Sequence, residues 1–108
     1  MSEDGEVKRN YYNDGQLASE HWYKNGDLHK VDGPAIIEYY KNGEIKSEYW
    51  YKDNKRHRDD GPTIIEYYKN GEIANEYWYK DDNELTKEQI EELKFKLTFN
   101  QQLQEQLS

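Results

Sequence analysis

A period of 28 residues runs through most of this chain and limits its fold more than any other feature. Trp22, Trp50 and Trp78 keep that spacing, as do Gly15, Gly43 and Gly71 and the pairs Tyr11-Tyr12, Tyr39-Tyr40 and Tyr67-Tyr68. Glu20, Glu48 and Glu76 follow the same step, and Gly5, Gly33 and Gly61 complete the frame. Segment 33–53 matches 61–81 at 18 of 21 positions, whereas 5–25 matches 33–53 at 9 of 21. The units are therefore 5–32, 33–60 and 61–84 within a repeat region of residues 1–84, and residues 85–108 stand outside it.

The period overrules the composition. Val, Ile, Leu and Phe number only 18, the net charge is -8, and charged residues make up 35% of the chain. Those values alone describe disorder. Yet 11 Tyr and 3 Trp lie in the repeats, and a periodic fold needs few aliphatic residues per unit because each unit buries its face on its neighbours.

Within 33–60, Gly33-Pro34 opens the unit, and Ala35-Ile36-Ile37-Glu38-Tyr39-Tyr40 reads as a strand. Lys41-Asn42-Gly43 is a three-residue hairpin loop with Gly at the position of positive φ. Glu44 to Lys52 returns, and Asp53 to Asp60 reads as a polar connection. The expected fold is mainly β, a single-layer antiparallel meander of about six strands from three hairpins, closed by a C-terminal helical cap. Alternation puts Ile45, Ser47, Tyr49 and Tyr51 on one face and Glu48 and Trp50 on the other. One face is then aromatic and aliphatic, and the other is charged with an isolated Trp. In the first unit Val7-Lys8-Arg9-Asn10 replaces the apolar block, and charge at an edge strand blocks further pairing.

After the repeats, Thr86 and Gln89 make a capping box, with Leu85 and Ile90 placed as a hydrophobic staple. A helix from about residue 87 carries Ile90, Leu93 and Leu97 on one stripe and Phe95, Phe99, Leu103 and Leu107 on another. The first stripe is expected to cover an end or face of the sheet. The second either shares that role or meets a partner or a second copy. A break at Lys94, with Phe95 to Phe99 as a strand, is the alternative.

Motifs of chemistry are missing from this pattern. His29 and His57 are repeat-equivalent residues in polar connections, and Leu85 holds that phase in the third unit, so they read as turn residues. Asp59-Asp60, in register with Asp32 and Asp4, reads as turn structure before Gly-Pro and not as a cation site. The chain is expected not to be an enzyme and to need no cofactor or metal. Its acidity opposes direct binding to nucleic acid, and residues 1–84 hold 12 Lys and Arg against 19 Asp and Glu. No apolar run is long enough to span a membrane, and the acidic start Met1 to Glu6 does not read as a secretory leader. With no Cys, the chain suits a reducing, cytoplasmic setting.

The hairpin motif Tyr39-Tyr40-Lys41-Asn42-Gly43-Glu44-Ile45, repeated as Tyr67-Tyr68-Lys69-Asn70-Gly71-Glu72-Ile73, resembles MORN repeats of the bacterial and phage type. The resemblance implies an interaction protein, such as an antitoxin component. The 28-residue unit is longer than a minimal MORN unit, so the lipid binding of some eukaryotic MORN proteins does not carry over. The expected function is a non-enzymatic inhibitor, an antitoxin or an anti-defence protein of a phage or mobile element such as an anti-CRISPR. It would block a basic protein surface, for example that of a nuclease, with Tyr49, Trp50, Tyr77, Trp78, Glu48 and Glu76 as contact residues. A structural module that forms a homodimer through the C-terminal helix is the other expectation.

Overall fold

The computed structural model describes residues 5–107 of the chain. The readings that rest on the first four residues, the absence of a leader and the turn role of Asp4, lie outside them. The sheet runs through β1 (Glu6–Tyr11), β2 (Leu17–Lys24), β4 (Ile36–Tyr39), β5 (Ile45–Tyr49), β8 (Ile64–Tyr67) and β9 (Ile73–Tyr77), each pair antiparallel. This is the expected six-strand meander, followed by one helix, α1 (Lys87–Leu107).

Each tyrosine-rich hairpin closes as its loop sequence dictates. Gly15, Gly43 and Gly71 take φ of 89°, 90° and 92°, a region that a Cβ disfavours and glycine enters freely. The Gly43 N–H donates to the Tyr40 carbonyl at 3.0 Å, and the register shifts between Glu38 and Tyr39 as the bulge absorbs a residue. Asn42 accepts from the Glu44 N–H at 2.9 Å, and Asn70 repeats that bond to Glu72 at 2.9 Å.

The polar connections hold structure that the sequence reading missed. In the second unit the return strand stops at Tyr49, and β6 (Tyr51–Lys52) pairs with β7 (Lys55–Arg56) in a second, smaller hairpin. In the other units β3 (Asp27–Leu28) pairs with the end of β2, and β10 (Tyr79–Lys80) pairs with β11 (Asn83–Glu84). All three turns have two residues of positive φ: Asn25 and Gly26, Asp53 and Asn54, Asp81 and Asp82. That is the two-residue turn whose twist suits a hairpin. The turns stack. Asn54 N–H donates to the Leu28 carbonyl at 3.0 Å, and Asp82 N–H donates to the Arg56 carbonyl at 3.0 Å. A column of small hairpins therefore runs beside the meander, linked unit to unit by backbone bonds.

The two faces are also divided differently from the expectation. Ile37 lies directly opposite Glu48, and Ile65 opposite both Glu48 and Glu76. Partners opposite each other share a face. The glutamates and tryptophans thus lie with Ala35, Ile37 and Tyr39, while Tyr49 and Tyr77 lie with Ile36, Glu38, Ile64 and Glu66. Carboxylates occur on both faces. Strand period alone gives the two sets on each strand, and only the register says which sets meet.

The packed interior is thin, with Ala35, Thr63, Ile65, Ser47 and Trp78 buried. Helix α1 starts as expected, with Gln89 accepting from Thr86 N–H at 2.8 Å and Thr86 accepting from Gln89 N–H at 3.1 Å. It runs unbroken through Phe95 to Phe99, which removes the strand alternative. Among its described residues none is buried: Ile90, Leu93 and Leu97 are half-covered, and Phe95, Phe99, Leu103 and Leu107 are exposed. Among the described residues no helix is long and apolar enough to cross a membrane.

Candidate functional site

One continuous row crosses the tryptophan face of the sheet: Arg9, Glu20, Ile37, Glu48, Ile65, Glu76. Its glutamates are held differently along the row. Glu20 accepts from the Arg9 guanidinium at 2.8 Å and from the Tyr39 hydroxyl at 2.8 Å. Burial raises its pKa, but the bonds from Arg9 and Tyr39 outweigh that and hold the carboxyl below its ordinary value. Glu48 accepts from the Tyr67 hydroxyl. Burial, then the bond to the carboxylate, pushes the Tyr39 and Tyr67 hydroxyls up to about 12. Glu76, in the last strand of the meander, is exposed.

Below this row, each tryptophan ring carries a cation. Lys30 lies 4.1 Å from the Trp22 ring centre, Arg58 lies 3.8 Å from that of Trp50, and Lys94 lies 5.8 Å from that of Trp78. Beside Trp50, Gly61 leaves the space. A Cβ on Gly61 would come within 2.7 Å of the Arg58 guanidinium carbon. In the third unit the chain has no next Gly-Pro, and helix α1 supplies Lys94 instead. The indole N–H groups of Trp22 and Trp50 are covered and find no acceptor among the described residues.

His29 and His57 tie the small hairpins together. Asp53 N–H donates to His29 Nδ1 at 3.2 Å, and Asp81 N–H donates to His57 Nδ1 at 3.1 Å. His57 Nε2 lies 2.9 Å from Asp59 Oδ1, so both its ring nitrogens are engaged in holding the turn. A groove of about 640 Å³ opens beside His29 and His57. Lys30, Lys52 and Arg58 face Asp32, Asp59 and Asp60 there, so the groove favours neither sign of charge.

The six expected contact residues do not form one patch. Trp50, Trp78, Glu48 and Glu76 share the tryptophan face, and Tyr49 and Tyr77 lie on the other. Trp78 is buried at 7% exposure, and Trp50 sits under Arg58. Glu76 and Tyr77 are open to solvent. The sequence reading passed over Tyr11, Tyr68 and Ile73, which are exposed at the ends of the array. Their inner counterparts are half-covered beside a neighbouring unit, so position in the array was the available signal. Compared with known proteins, the chain matches no family model, no curated protein and no solved structure.

Proposed function

We propose that this chain is a non-enzymatic protein-binding module, an inhibitor that blocks the basic surface of a cytoplasmic protein such as a nuclease. The likeness to bacterial and phage MORN repeats suits an antitoxin or an anti-defence protein such as an anti-CRISPR. The observation that carries this reading is the open acidic end of the tryptophan face. Arg9 neutralises the row at one end, and Glu76 ends it exposed at the other. Asp81 and Glu84 add exposed carboxylates on the small hairpin beside it, in a chain of net charge -8. Such a surface speeds encounter with a positive partner. The test captures partners from the native host with the wild-type chain, then measures association of the captured protein at two salt concentrations. A folded Glu48→Lys, Glu76→Lys double variant should associate more slowly and with a shallower salt dependence. An unchanged rate and salt slope would discard the reading.

A second reading, a structural module that dimerises through α1, draws support from the exposed stripe Phe95, Phe99, Leu103 and Leu107. Sedimentation of a Phe99→Asp variant tests it, since loss of a helix-mediated dimer is then expected.

A further inference from the structure

We propose that copies of this chain join head to tail, β9 of one pairing with β1 of the next in the register that β5 uses for β8. The two sheet ends are the two halves of a joint the chain already makes twice inside itself, at β2–β4 and at β5–β8. In the inner joints Glu20 faces Ile37 and Glu48 faces Ile65. Trp22 N–H donates to the Ala35 carbonyl at 2.7 Å, and Trp50 N–H donates to the Thr63 carbonyl at 2.8 Å. Carried forward by one unit, the same register sets Glu76 opposite Arg9 of the next copy and Trp78 N–H against its Val7 carbonyl. Both outer strands then gain the backbone partners that an edge lacks.

Side chains make the same case. Each inner joint uses two tyrosine hydroxyls. Tyr39 donates to Glu20 and Tyr67 to Glu48, while Tyr12 donates to the Tyr39 carbonyl and Tyr40 to the Tyr67 carbonyl. One unit on, Tyr11 of the next copy would reach Glu76, and Tyr68 would reach its Tyr11 carbonyl. Tyr11 and Tyr68 are the members left open, at 60% and 56% exposure. The free ends therefore carry a matched donor and acceptor set.

Charge selects this pairing over its symmetric rivals. Two β1 strands meeting at Arg9 would oppose cation to cation, and two β9 strands meeting at Glu76 would oppose carboxylates. Like charges directly opposite destabilise a pair, and Arg9 against Glu76 stabilises it. The charges on β1 thus exclude a second β1 and admit β9. Helix α1 lies over the Trp78 ring through Lys94, while Asn75, Glu76 and Tyr77 remain exposed. A heterologous contact of this kind grows an open chain of copies unless its rotation closes a ring.

Sedimentation velocity of the full chain over a concentration series tests the proposal. The average mass should rise past the dimer. A Tyr11→Phe, Tyr68→Phe double variant removes two hydrogen bonds and should weaken association about tenfold or more, with an unchanged thermal midpoint at dilutions where both proteins are monomers. Glu76→Arg should weaken it as well, and Glu92→Arg, with the same charge change on the exposed side of α1, should not. Arg9→Pro and Glu76→Pro each remove one outward N–H. Neither should form chains alone, and their mixture should form a one-to-one complex. Three results would overturn the proposal: a monomer up to the solubility limit, association that stops at the dimer, or association lost in Phe99→Asp but intact in Glu76→Arg.

Discussion

Tyr39 and Tyr67 make the same bond one repeat apart, each donating its hydroxyl to a glutamate on the neighbouring strand. Both hydroxyls have pKa values pushed from 10.0 up to about 12. A group raised in the folded state gives stability that is complete below its unfolded pKa and lost as pH climbs through the folded one. Stability should therefore fall between pH 10.0 and about 12, and an ultraviolet titration of phenolate should show late-ionising tyrosines. Tyr67→Phe should remove one late step and cost about 1 kcal/mol in a denaturant melt. Glu20 works in the other direction: its lowered pKa gives stability that is lost as pH falls below 4.5. The Tyr pairs were legible in the sequence as repeated residues. Their bonding was not, because Tyr39 and Glu20 lie 19 residues apart and meet only through strand register.

Among the elements, the tyrosine hairpins were the most legible, since a Gly at the third loop position has one backbone use. Gly43→Ala should cost about 1–2 kcal/mol in a denaturant melt. The cost is backbone strain alone, because a Cβ there meets nothing within 4 Å. The small hairpins were harder to see. Asn25-Gly26 is a recognised turn pair, but Asp53-Asn54 and Asp81-Asp82 place non-glycine residues at positive φ. They hold it because the stacked turns supply bonds, as in Arg56 N–H donating to Asp82 at 2.8 Å. The helix was legible in start and periodicity. How little of it is covered was not, because periodicity describes a stripe and not what lies against it.

At the scale of the molecule, each unit touches its neighbours, so stability should scale with the number of units. Removing residues 33–60 joins unit one to unit three in register, since both junctions repeat the same spacing. The shortened chain should fold with strand-type circular dichroism and melt at a lower temperature than the full chain. Loss of all folded signal would contradict a modular array. The sequence by itself determined the period, the tyrosine hairpin within each unit, its three-residue loop and the helix start. These depend on contacts near in the chain or repeated at a fixed step. The tertiary structure alone decided which faces the charges share, that the polar connections form a second column, and which tyrosines remain open. Each of those follows from register across strands and from where the array stops. A residue's own neighbours in sequence carry neither fact, because the same Tyr is covered inside the array and exposed at its end.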